Sequence, residues 1–263
     1  MTKMFRNIVF AACLAGVLAG LVITGLQLFV TVPIILKAET YEPGGHTHGA
    51  EHAHGSGGHA HAEQPAASES VTGSGGVFSG LYRSLYAFQH AESDWGPKNS
   101  WQRNGSTLVA NILLAIAFGL LLVAAFSLRS NPRWAEGLLW GLGGYATFFA
   151  LPALGLPPEI PGNFTADLVS RQGWWLMTVL FSGVGLALIA LQRPWMWKIL
   201  GTLLVVAPHV LGAPQPEVHG GTAPEALAET FIWRAAFVNL VFWLLLGGLG
   251  AWAFLKLAGP KVR

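Results

Sequence analysis

Three His-x-His pairs, His46/His48, His52/His54 and His59/His61, fall within sixteen residues and hold six of the nine histidines of this chain. Imidazole is the commonest side-chain metal ligand and suits Co, Ni, Cu and Zn. Two imidazoles at i, i+2 on a flexible segment can share one ion, and three pairs can close round it or pass it along. The surrounding stretch, Pro43 to Gly80, is built from Gly, His, Ala, Ser and Glu and cannot bury enough apolar surface to fold. Nothing nearby would hold a fixed ligand geometry. The tract therefore reads as a weak, fast metal concentrator, losing affinity as pH falls through about 6.5, where imidazole protonates. A solvated low-complexity linker is the plainer alternative.

A second pattern recurs where three apolar runs end. The first run passes Val32-Pro33 with Glu39 six residues on. The third ends Leu151-Pro152-Ala153-Leu154-Gly155-Leu156-Pro157-Pro158-Glu159. The fifth ends Ala207-Pro208-His209-Val210-Leu211-Gly212-Ala213-Pro214-Gln215-Pro216-Glu217. Each carries a proline and then an acid. Proline leaves a helix carbonyl without its donor, and broken helices that line cavities present such carbonyls to ions in transporters. Proline also simply ends helices at an interface, and both readings stand.

His209 is the one histidine inside an apolar run, where ionisable side chains are usually functional. It is either an ion ligand or a polar cap on its own helix end. His219, Glu217, Glu159 and Asp167 lie in the two short loops beyond and could complete a mixed nitrogen and oxygen ligand set. Arg171 and Gln172 precede Trp174-Trp175, and Arg171 could pair with an outer acid or meet a substrate. Gln27, Asn111 and Asn239 are the few polar side chains deeper in the apolar runs, and they read as links between helices. Ala12/Gly16/Gly20 and Gly137/Gly141 mark close helix packing. No P-loop and no set of acid, base and nucleophile is present, so an enzyme is not expected and no catalytic residue is assigned.

The elements that position these residues are membrane helices. Of 263 residues, 52% are apolar and 11% charged, against about a quarter charged in soluble domains. Such a surface cannot be covered for water, which excludes an ordinary soluble enzyme. Cys13 is the single cysteine, so no internal disulfide or cysteine zinc site exists. A formal charge of +2 argues for no nucleic-acid partner. Apolar runs occupy Ile8–Leu36, Thr107–Leu128, Trp134–Leu156, Gly173–Leu191, Trp195–Gly212 and Phe231–Leu257. The fold class is all-α, a polytopic membrane protein with about six spans, the fifth being the shortest. The first run lacks a small-x-small cleavage site and reads as an uncleaved span.

With the N-terminus in the cytoplasm, nine of the fifteen basic residues and only Glu136 of the thirteen acids fall inside. The positive-inside rule then places both termini in the cytoplasm and the histidine tract outside. The expected organisation is a first span (residues 1–36), an outer loop (37–106) and a membrane domain of five spans (107–263). Within the outer loop, Leu81, Tyr82, Leu85, Tyr86 and Phe88 share a helical face, giving a short amphipathic helix on the outer leaflet or packed on the span ends.

Several of these segments are similar to those of a known family. The start Met4-Phe5-Arg6, the exit Pro33-Ile34-Ile35-Leu36-Lys37-Ala38-Glu39-Thr40-Tyr41-Glu42, the tract Pro157-Pro158-Glu159-Ile160-Pro161-Gly162 leading to Arg171-Gln172-Gly173-Trp174-Trp175, and Ala207-Pro208-His209-Val210-Leu211-Gly212-Ala213-Pro214 resemble the CbtA family of bacterial cobalt transporter subunits. The resemblance runs from about Met4 to Leu257. It implies cobalt as cargo and a small CbtB-like partner with one span and a His-rich terminus. It implies no resident cofactor. A homo-oligomer is a further possibility, and a membrane-anchored metal buffer or sensor is the competing function.

Overall fold

The computed structural model describes residues 2–42, 100–128 and 133–258. The three His-x-His pairs and the segment expected to form an amphipathic helix, up to residue 99, lie outside them. The chain divides by its contacts into one unit of residues 1–46 and 104–263 and another of residues 47–103. Among the described residues the only regular structure besides helix is an isolated bridge between Asn163 and Gly221.

The helices are α1 (Thr2–Val30), α2 (Val32–Glu39), α3 (Ser100–Ser127), α4 (Trp134–Tyr145), α5 (Leu151–Ala153), α6 (Leu168–Leu191), α7 (Trp195–Leu211) and α8 (Glu225–Ala258). A π-helical segment, Ala146–Ala150, joins α4 to α5 without a break. Each expected apolar run is helical. Four helices, within Lys3–Val30, Ser100–Ser127, Leu168–Leu191 and Glu225–Leu257, are long and apolar enough to cross a membrane. The helix Trp195–Leu211 has 17 residues, about 26 Å at 1.5 Å per residue, short of a core about 30 Å thick. Many large apolar side chains are exposed, Phe29, Leu113, Trp195, Leu203 and Trp233 among them. In water they would be an aggregation liability, and in lipid they face their natural solvent.

The first run is not one helix, as the sequence suggested. It breaks at Thr31, because Pro33 has no N–H to give the preceding turn. Ile34 and Ile35 both donate to the Thr31 carbonyl at 3.1 Å, which leaves the Val30 carbonyl without its usual donor. Arg234 on α8 fills the gap, its Nη1 donating to that oxygen at 3.1 Å.

Two glycine-rich seams carry the packing. Ala15, Ala19 and Ile23 of α1, Ala115 of α3, and Val238, Phe242, Trp243 and Leu246 of α8 form one buried cluster. A Cβ added to Gly16 or Gly20 would lie 2.7 Å from the backbone of Ile116 or Ile112 on α3. On the other seam a Cβ at Gly137 would lie 2.6 Å from the Gly247 carbonyl oxygen of α8, and one at Gly141 would run into the Trp243 carbonyl. The small-residue spacing is thus the contact surface of α1 with α3 and of α4 with α8, as helix association in lipid requires. Of the deep polar residues, Asn111 joins α3 to α1 through Thr24 Oγ1 at 3.0 Å and Gln27 Oε1 at 2.6 Å. Asn239 donates back to Ala235 of its own helix, at 3.0 Å, rather than to another helix among the described residues.

Candidate functional site

The proline-bearing ends of α5 and α7 come together at one place, Pro208 lying inside α7, which stops at Gly212 with φ +83°. Pro152 and Pro208 are both fully buried. The π-helical turn before Pro152 shifts the ladder by one residue, Leu151 N–H bonding Ala146 O. Its carbonyl then faces His209: Nε2 lies 3.0 Å from Leu151 O and Nδ1 lies 3.1 Å from Val205 O. Trp174 of α6 completes the junction. Its Nε1 donates to the Pro208 carbonyl at 3.2 Å, and its ring meets the imidazole edge-on with centroids 5.9 Å apart.

This arrangement has one hydrogen too few. A neutral imidazole carries one N–H and one lone pair, and both nitrogens here face carbonyl oxygens. One carbonyl receives a hydrogen bond, and the other looks at a lone pair. A cation that takes the electron-rich side would relieve that imbalance.

The outer loops are held by the Pro157–Gly162 tract. Ile160 is buried against Ile34 and Ala38 of α2 and against Ala223. Gly162 takes φ +81°, a left-handed turn that an L side chain resists. That turn lets Thr222 N–H donate to Gly162 O and Phe164 N–H donate to Gly220 O, so the two short loops pair. Glu159, beside Ile160, forms an ion pair with Arg171 of α6. Arg171 therefore takes the outer acid, one of its two sequence readings. The pair borders a cavity of about 430 Å³ with Phe149, Pro152, Gln172 and Trp175.

Burial pushes the Glu159 carboxyl above its ordinary range, while the charge and hydrogen bond of Arg171 pull it back. A carboxyl raised in the fold keeps its proton after the unfolded chain has released it. Its stabilising share is complete below the unfolded value and is lost as pH rises through the native one. Arg171→Gln is expected to move the Glu159 titration upward and the pH of this loss with it, read by carboxyl NMR and by melting temperature against pH. An unmoved titration would contradict the pairing.

Asp167 has a different job from the one its loop position suggested. It caps α6, its carboxylate accepting from Ser170 N–H at 3.0 Å and Ser170 Oγ at 3.1 Å. Those bonds, the backbone one first, hold the carboxyl below its ordinary range. Glu217 and His219 are exposed, and Glu39 is half-buried on α2. Among the described residues no three of the His, Cys, Asp and Glu side chains gather closely enough to hold a metal ion. The sequence missed Trp174, which donates to the Pro208 carbonyl alongside Gly212 N–H, and Arg234, which takes the Val30 carbonyl left free at the break. Both stand where an isolated indole or guanidinium meets a proline-broken helix, a contact visible only in three dimensions.

A family model described as "Probable cobalt transporter subunit (CbtA)" matches residues 5–255. The chain belongs to the CbtA family. Neither the curated proteins nor the solved structures include a match to it. CbtA membership agrees with apolar helices of membrane-crossing length and supports a role in cobalt transport. As a subunit, a CbtA protein works within a larger transporter.

Proposed function

We propose that the chain is the membrane subunit of a divalent-metal importer, with cobalt as its cargo, and that the junction of α5, α6 and α7 is where an incoming ion is received. The observation that carries this reading is His209 set between two carbonyls with one hydrogen to share. A neutral imidazole nitrogen and carbonyl oxygens form a mixed donor set that suits Co, Ni or Zn better than Ca or Mg. Few donors mean weak binding, which an ion in transit needs. Pro208, one residue before the ring, has no N–H for the Leu204 carbonyl of its own helix. Glu159 and Arg171 flank the path, with Glu39, Asp167, Glu217 and His219 as charged and polar groups along the outer loops. Passage requires the ring to leave at least one of its carbonyl partners.

In this reading the chain crosses the bacterial inner membrane six times. The α4–π–α5 helix, 20 residues from Trp134 to Ala153, and the short α7 supply the third and fifth spans beside the four long ones. Both termini lie in the cytoplasm. A glycosylation or alkylation reporter at Gly57 is expected to be modified only from the outer side. Modification only from within would overturn the orientation.

His46, His48, His52, His54, His59 and His61 act as the outer antenna, and a small single-span CbtB-like subunit is the partner. Removing residues 44–61 is expected to leave the protein inserted and its uptake at saturating metal within about twofold of normal. Uptake at scarce metal should fall about tenfold, set by the lost local concentration. Loss of uptake at saturating metal would place the tract in the pathway itself.

A membrane-anchored metal buffer is the second reading. It is favoured by the internal partners that the Val30, Leu151 and Pro208 carbonyls already have. Cobalt accumulation by the His209→Ala protein separates the two, because a buffer on inert helices would not register the change.

A further inference from the structure

We propose that the trough between α4 and α6 seats one acyl chain of an anionic phospholipid, with the lipid phosphate held by Arg133 and Arg193. It rests on these helices lying in a membrane and is independent of cobalt. The trough has a volume of about 590 Å³ and is lined by apolar side chains and glycines, including Leu121, Leu139, Gly143, Leu180, Gly183 and Ala187. It exists because α6 packs on the π segment and makes little contact with α4 itself.

One end is shut. The rings of Phe118, Phe148 and Trp243 cluster there, Phe148 stacked on Trp243 at 5.4 Å and Phe118 meeting Phe148 edge-on at 4.8 Å and Trp243 at a tilt at 4.9 Å. The other end opens at Glu136 and Leu191. Arg133, an exposed residue, bonds Glu136 through Nε at 3.3 Å, and exposed Arg193 follows Leu191 by two positions. Two guanidinium groups and one carboxylate leave that mouth with one net positive charge.

Length and charge choose the occupant. From Glu136 to Phe148 is twelve residues, about 18 Å at 1.5 Å per residue. Half of a core about 30 Å thick is about 15 Å, so the trough matches one leaflet and not a spanning helix. A partner helix would need a groove running the whole thickness, and the ring cluster blocks it midway. A cationic mouth on a dry, one-leaflet trough fits a phosphate on an acyl chain.

The test uses the full chain, exchanged in vesicles of equal phosphatidylglycerol and phosphatidylcholine, extracted into detergent and weighed by native mass spectrometry. One phosphatidylglycerol per chain is expected to survive extraction. Its preference should be about fivefold, the worth of one net basic group near a membrane surface. Arg133→Gln with Arg193→Gln should keep a lipid but hold either type within about twofold. Gly143→Leu and Gly183→Leu should each lower occupancy at least tenfold. Both have room for the added Cβ, since nothing lies within 4 Å at Gly143 and only Thr147 Cγ2, at 3.4 Å, at Gly183. A cooperative melt confirms that they fold. Wild-type protein with no retained lipid, equal retention by the leucine variants, or a helical peptide retained instead would each overturn the proposal. Because cobalt is absent from the assay, its failure is distinct from failure of the transporter reading.

Discussion

His209→Ala is expected to lower cobalt accumulation at least tenfold at normal expression. The imidazole faces carbonyls from two helices, Leu151 of α5 and Val205 of α7. Alanine removes the nitrogen donor to the ion and leaves the Leu151 carbonyl without a polar partner from α7. Losing one hydrogen bond of this kind costs about 1 kcal/mol of stability, too little to unfold the protein. A loss of uptake with normal membrane content therefore reports on function. His209→Gln should behave nearer to Ala than to wild type, since a carboxamide hydrogen-bonds but ligates borderline ions poorly. His219→Ala should lose less, because that side chain is exposed in a loop. Full transport by His209→Gln would make the residue a structural cap.

Gly141→Val is expected to abolish folded protein. A Cβ at this position runs into the Trp243 carbonyl, which is backbone and cannot swing away. Relief requires α4 and α8 to separate along the seam that also holds Gly137 against Gly247. Trp243 is buried, and its ring closes the Phe118–Phe148 cluster, so the strain spreads into the core. Overpacking of this kind costs about 3 kcal/mol or more when the obstacle is rigid. Gly143→Val is the control, two positions along the same helix, where a Cβ meets nothing within 4 Å. Membrane content and thermal melting in detergent should show Gly141→Val lost and Gly143→Val retained. Equal stability of the two would mean that α4 and α8 do not pack through this seam.

The helical runs and their contact seams were legible because lipid imposes a simple rule. Apolar residues in blocks of about twenty make helices, and small residues four apart make their interfaces. Pro33 announced the break after α1, and the pairing of Arg171 with an outer acid was one of two readings left open. Local pattern does not say which distant side chain reaches a carbonyl near a proline. Arg234 meets Val30 across 204 positions of sequence, and His209 meets Leu151 across 58. Asp167 carried its own signal, an Asp three residues before Ser170 at a helix start, which reads as a cap as readily as a ligand. The break at Thr31 was foretold by Pro33 but masked by the unbroken hydropathy around it. Asn239 shows the opposite limit, since a polar residue in an apolar helix can satisfy itself on the preceding turn.

The central claim, that this chain serves cobalt import, is tested most directly by metal content. Cells with and without the protein, each carrying its small partner subunit, are exposed to trace cobalt, nickel, zinc or copper and assayed for intracellular metal after removal of surface-bound ions. The account predicts that cobalt rises with the protein severalfold more than the other three, and that His209→Ala cancels the rise. Intracellular cobalt unchanged by the protein, with the gain confined to the removable surface pool, would contradict it.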